Sequence, residues 1–183
     1  MPTASNVSVG KPAIAGAVYV ADITATLPTD ATTVLGADFK ALGYVSEDGL
    51  TNAMSIESDE VKAWGGDTVL TLQTSFSDTF GLTLIESLNA EVLKTVFGDS
   101  NVTGTLADGV TVKVNSQEPP AKAWVIEMLL RGGIVKRIVI PSASVTERGE
   151  ITYKDDEAIG YELTLTAVSD TAGNTHYEYL KSA

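Results

Sequence analysis

The side chains best equipped for chemistry in this sequence are carboxylates, gathered in three knots: Glu47/Asp48, Glu57/Asp59/Glu60 and Asp155/Asp156/Glu157. Two carboxylates at a controlled separation can act as acid and base in glycoside cleavage. With 24 acidic residues against 12 basic ones, neighbouring acids also arise by chance, and a solvated acidic face accounts for them more simply. The Asp155 run lacks the spaced D-x-D-x-D-G pattern that converges oxygens on Ca²⁺, so it reads as a turn. The single histidine, His176, has no serine or cysteine in a nucleophile elbow to activate, and reads as an ordinary surface or edge residue. Neither Gly65-Gly66 nor Gly132-Gly133 opens a helix followed by Lys-Ser/Thr, so both read as hairpin turns rather than phosphate loops. Trp64 and Trp124 could stack on sugars or bases, but apolar strand neighbours make core packing the expectation for both. Cysteine is absent, which excludes disulfides and thiolate metal sites, and one histidine cannot build a His cluster. These residues predict no enzyme, no cofactor and no metal.

Charge narrows the partners. A net charge of −12 opposes tight binding to nucleic acid, whose affinity comes largely from Lys and Arg displacing counterions from phosphate. The longest apolar run, Pro12 to Ala21, stops at Asp22 and is too short to span a bilayer, so no membrane anchor is expected. Its ten preceding residues carry no basic cluster and Gly16 interrupts it, which argues against a cleaved leader.

The elements that must position these residues are mostly strands. A chain of 183 residues, 44% hydrophobic and 20% charged, reads as one globular domain. Residues 1–28 are small and β-branched with three prolines, and read as an extended N-terminal arm that orders against the domain or a neighbouring copy. Residues 29–42 offer Asp30 or Thr32 as a cap, with Val34, Leu35, Phe39 and Leu42 at helical spacing. Glu47-Asp48-Gly49 reads as a hairpin turn, Met54 to Trp64 as a strand, and Gly65-Gly66-Asp67 as a second turn. Val69 to Phe76 alternates without a break, Leu70, Leu72 and Phe76 against Thr71, Gln73 and Ser75, which predicts a half-buried strand.

The period then changes. Leu88, Val92, Leu93 and Val96 share one helical face and Gly98 closes it, predicting a helix over Ser87 to Phe97. Val110 to Val114, Trp124 to Leu130, Ile134 to Ile140 (broken by Pro141), Glu150 to Lys154 and Ile159 to Val168 read as further strands, with Thr171 to Asn174 closing a last hairpin. The Trp124 strand, apolar on both faces, should be central. On the last long strand Tyr161, Leu163 and Leu165 should face inward, against Glu162, Thr164 and Thr166. The fold class is therefore mainly β: an antiparallel β-sandwich or barrel over residues 29–183 with one flanking helix, extended loops and the N-terminal arm.

Several stretches, in this order, resemble the tail tube proteins (major tail proteins) of long non-contractile-tailed bacteriophages. They are Gly16 to Ala21 followed by Leu27 to Asp30; Leu42 to Leu50; Ala63 to Asp67; Thr83 to Glu86 through Val92-Leu93 to Phe97-Gly98; Val139 to Pro141; and Asp170 to Asn174. The resemblance implies a β-sandwich with a flanking helix, homo-oligomeric hexameric rings stacked into a tube for genome DNA, and no catalytic residues. It implies as partners a tape measure protein and tail terminator and initiator proteins, with assembly in the host bacterial cytoplasm and a final place in the virion tail. Thr71, Gln73, Ser75, Glu162, Thr164 and Thr166 are then the expected lumen-facing residues, since small polar groups suit a wet channel as well as an outer surface. Val18, Tyr19, Val20, Tyr44, Glu47, Asp48, Glu57 and Asp59 are the expected inter-ring or inter-subunit contacts. An acidic wall would let a polyanion slide past. The main alternative is a carbohydrate- or cell-surface-binding β-sandwich module, which needs Trp64 or Trp124 open on the surface. A carboxylate-pair hydrolase needs two acids facing each other in a concave pocket.

Overall fold

The computed structural model describes residues 3–13 and 17–182; Gly16 of the opening stretch, and the first two residues of the expected arm, lie outside them. The strands in chain order are β1 (Lys11–Pro12), β2 (Val18–Asp22), β3 (Lys40–Ala41), β4 (Val45–Lys62) and β5 (Thr68–Leu84). After helix α1 (Ala90–Phe97) come β6 (Val102–Thr105), β7 (Gly109–Val112), β8 (Lys122–Leu129), β9 (Ile134–Arg148), β10 (Tyr161–Ala167) and β11 (Tyr177–Ser182). Nine of these form one antiparallel sheet in the order β3-β2-β8-β9-β10-β5-β4, with β1 added to β8 and β11 to β9, while β6 and β7 form a separate ribbon. The sheet is not closed into a barrel.

Two apolar clusters explain this arrangement. On one face Val18, Val20, Phe80, Leu82, Leu84, Trp124, Ile126, Ile140, Leu163 and Leu165 meet Val92, Leu93 and Val96 of α1. Strands from opposite ends of the sheet order share this cluster, so the sheet curls over itself and the helix. On the other face Val125 and Val139 pack with Ala21 and Phe39, against Tyr19, Leu35, Tyr177 and Tyr179. β8 is thus buried on both sides, as its unbroken apolar run requires. The second cluster is pinned by Arg137, itself buried, which pairs with Glu127 and donates to the carbonyls of Asp30 and Thr33 at 2.8 Å each. The helix begins at Asn89, whose side chain accepts from the Glu91 amide at 3.0 Å, and ends at Gly98 with φ +97°, a conformation costly for residues with a Cβ.

Several expectations are corrected. Residues 29–42 form turns, bends and the short strand β3 rather than a helix: the Asp30 carboxylate accepts the amides of Thr32 and Thr33, an Asx turn that competes with helix geometry. The chain does not turn at Glu47-Asp48-Gly49; β4 runs through it with a register shift, Gly49 taking a positive φ. Pro141 does not end its strand. β11 pairs with β9 up to Val139 and β10 pairs from Ala143, so the proline falls between them and its missing N–H leaves no ladder bond unmade. For the same reason β11 is no hairpin partner of β10, since both lie along β9. Residues 150–154 form no strand, and Val102–Thr105 does. The expected arm of residues 1–28 divides: residues 17–22 enter the sheet and its core, while the described residues of 3–11 with a burial class are exposed.

Candidate assembly surface

The β4–β5 hairpin is the feature that the core does not account for. From Thr51 to Ser77 every residue of these paired strands, with the turn between them, is exposed, whereas from Asp78 onward β5 alternates between buried and half-buried. The expectation of a half-buried strand at Val69 to Phe76 is therefore corrected: within one subunit both of its faces are open. Trp64, expected in the core, stands fully exposed at the turn beside Gly65 and Gly66, because no second layer reaches this far. Trp124 is in the core as expected.

Register assigns the two faces. The pairs Met54↔Asp78 and Ile56↔Phe76 share the face that continues Phe80 and Leu82 of the core; beyond a bulge at Thr74, the extra residue on β5, that face passes to Ser58↔Gln73 and Glu60↔Thr71, while Asp59↔Leu72 and Val61↔Leu70 stand on the opposite face. Apolar side chains are therefore uncovered on both faces of the distal hairpin; Leu70, Leu72 and Phe76 are 50%, 49% and 45% exposed. The opposite face carries Ser55, Glu57, Ser75 and Thr79, with the Ser75 hydroxyl donating to Glu57 at 2.9 Å, and beyond the bulge Asp59, Val61, Leu70 and Leu72. It continues across the sheet, since Thr79 pairs with Thr166, Gly81 with Thr164 and Thr83 with Glu162, and the Thr166 and Thr146 hydroxyls are 2.8 Å apart. Of the six residues expected to face a lumen, Ser75, Glu162, Thr164 and Thr166 share this hydroxyl-rich face, whereas Thr71 and Gln73 fall on the other face beyond the bulge, beside Glu60 and Lys62.

The expected contact residues fare differently. Val18 and Val20 point into the core, which removes their side chains from any partner, and Tyr19 packs in the second cluster, where burial and the Glu127 charge raise its phenol above the ordinary value. Tyr44, Glu47 and Asp48 border an open groove of about 630 Å³ between β1, the end of β8 and the start of β4. Glu57 and Asp59 are exposed on one face of the distal hairpin, because β4 alternates regularly past the bulge, whose extra residue is Thr74 of β5.

A buried polar node at the hairpin's root was not anticipated. Asp78, fully buried, accepts from the Asn52 side chain at 2.7 Å and the Thr175 hydroxyl at 2.6 Å, and lies 2.6 Å from His176 Nδ1. Burial pushes its pKa up, but the hydrogen bonds from Thr175, Asn52 and His176 outweigh that and hold it below the ordinary carboxylate value. His176, which also sets its ring edge against Phe80 at 5.3 Å, is a partner of this node rather than a plain surface residue. An aspartate at an inward position of the alternation, between Phe76 and Phe80, is the signal that would have found it. Among the described residues no group of three His, Asp or Glu converges to hold a metal ion.

The sequence model of the phage tail tube proteins matches residues 3–183. The chain belongs to the phage tail tube protein family. A tail tube protein is a structural component of the phage tail, and so of the virion. Among solved structures, the tube-terminating cap of the anti-feeding prophage, seen by cryo-EM, resembles this tail tube protein with a TM-score of 0.47 and 10% identity, over 99% of this chain and 98% of that one. No curated protein matches it. Its uncovered hairpin, unexplained by the subunit alone, is a surface of the kind an assembling protein must carry.

Proposed function

We propose that this tail tube protein closes into hexameric rings that stack into the tail tube, with the hydroxyl-rich face lining the conduit for genome DNA. The observation that carries the reading is the uncovered hairpin: Met54, Ile56 and Phe76 extend the core face into water, Val61, Leu70 and Leu72 are open beyond the bulge, and the hydroxyls of Ser75, Thr79, Thr164 and Thr166 line the face behind the first group. An isolated two-stranded ribbon is marginally stable in water, and β4 has an unpaired outer edge along its length. Neighbouring copies cover these apolar side chains and that edge. Ser and Thr remain hydrated and neutral against a sliding polyanion, and the few acids repel it, so DNA passes without a counterion-release grip.

In this reading the exposed residues 6–11 bridge rings, a tape measure protein sets the length, and initiator and terminator proteins bound the stack, all assembled in the host cytoplasm. Negative-stain microscopy of concentrated protein tests it: rings or tubes are expected, and a strict monomer at every concentration, with an initiator present, contradicts it. Replacing Ser75 and Thr164 with Lys should leave tubes intact but slow DNA delivery; normal delivery would put that face elsewhere. The exposure of Trp64 is what a carbohydrate-binding module needs. A sugar site also needs polar groups converging beside the ring, and here the ring is flanked by Ala63 and Gly65 on a bare turn.

A further inference from the structure

One end of the sheet is basic. Lys11 pairs with Leu129, Leu129 with Val135, and Val135 with Lys181, so four neighbouring strands carry the two lysines at one level, and Arg131 sits in the turn joining the middle two. Three strand spacings of about 4.8 Å put Lys11 and Lys181 roughly 14 Å apart. All three cations are exposed, and among the described residues none has an ion pair, although Lys181 donates to the Thr32 hydroxyl at 3.3 Å. The acids of the neighbouring strands are already matched, Glu178 to Lys136 and Glu127 to Arg137. Glu47 and Asp48 border the same groove as Lys11 without pairing to it. In a chain of net charge −12, three unmatched cations at one edge need a counterpart.

The distal hairpin supplies one. Between Glu57 and Asp67 it exposes four acids against Lys62 alone. We propose that the rim of Lys11, Arg131 and Lys181 receives the distal hairpin of a second copy of this chain, with Glu57, Asp59 and Glu60 opposite the cations and the exposed Val61, Leu70 and Leu72, which share the face of Glu57 and Asp59, buried beside them. The contact rests on the tube reading and says which surface covers the hairpin. It joins two different patches, so it propagates into a ring or filament instead of stopping at a dimer. Apolar burial gives the contact its strength, while the charges select partner and register and offset the repulsion between acidic copies.

Charge exchange tests this. The triple variant K11E/R131E/K181E should keep the circular dichroism and melting temperature of the wild type but form no rings or tubes, and E57K/D59K/E60K should do the same. The chain carrying all six substitutions, with the complementarity inverted, should assemble again. If wild type assembles and either triple variant assembles equally well, or if the sixfold variant stays monomeric while folded, the pairing is wrong although the tube reading stands. Should a triple variant not fold, K11Q/R131Q/K181Q takes its place with the same expected loss of assembly. Tubes of unchanged yield from the rim variant, with only weaker retention on immobilised duplex DNA, would make the rim a polyanion site and overturn the proposal. If wild type itself never assembles, the tube reading fails first.

Discussion

Phe76 and Phe80 stand four residues apart on the same face of β5, and their fates differ: Phe80 is wholly buried while Phe76 is 45% exposed. The proximal half of the strand meets β10, α1 and the returning sheet, which convert its apolar face into core. The distal half meets only β4. The same alternation therefore has two meanings along one strand, cover supplied by the subunit itself and cover left for another molecule. The N-terminal segment divides in the same way, with Val18 and Val20 in the core and residues 6–11 exposed.

Truncation should separate these regions most sharply. Removal of residues 1–27 takes β2 out of the main core and should unfold the subunit, whereas removal of residues 1–10 should leave its thermal transition in place and weaken only tube formation; circular dichroism beside microscopy reads both. Next in size, Phe80→Ala should destabilise the monomer by about 3–5 kcal/mol in urea titration. Phe76→Ala, by contrast, should cost the monomer less than about 1 kcal/mol and still abolish tubes. Equal monomer losses for the two would erase the distinction drawn here.

The root node should give an intermediate effect. Asp78→Ala leaves the donors of Asn52, Thr175 and His176 facing a cavity, at a cost of about 1–3 kcal/mol. The Asp78 carboxyl is held below its ordinary value in the folded subunit, so its contribution is present above the unfolded-state pKa of about 4 and is lost as pH falls further toward the folded value. Acid titration of wild type should show this loss, and Asp78→Asn should lack that component. The smallest change expected is Asn89→Ala at the helix cap, about 1 kcal/mol in the monomer with tubes unaffected.

Much of this was legible in the residues. Strict alternation marked the inward set Tyr161, Leu163 and Leu165, the doubly apolar β8 run marked the centre of the sheet, and the 3.6-residue spacing with Gly98 marked α1. That Ser75, Glu162, Thr164 and Thr166 share a face was also readable from parity, whereas the bulge at Thr74, which the residue pattern does not show, sends Thr71 and Gln73 to the other face. Where reading failed, the cause lay outside the local pattern. Periodicity at Leu70, Leu72 and Phe76 reads as one apolar face, and is silent both on the bulge at Thr74 that divides them and on whether a covering layer belongs to the same chain. Pro141 passed for a strand end because nothing local shows that β11 and β10 share one edge of β9 on either side of it. Trp64 passed for core because its neighbours are apolar, although the layer that would bury it is absent from the subunit.

The central claim, that other copies cover the distal hairpin, is tested most directly by amide hydrogen exchange over residues 51–77 in the monomer and in assembled tubes. The account predicts fast exchange in the monomer and strong protection in the tube, with residues 78–84 protected in both. Equally fast exchange of residues 51–77 in tubes would mean that the hairpin stays bare after assembly, and would contradict it.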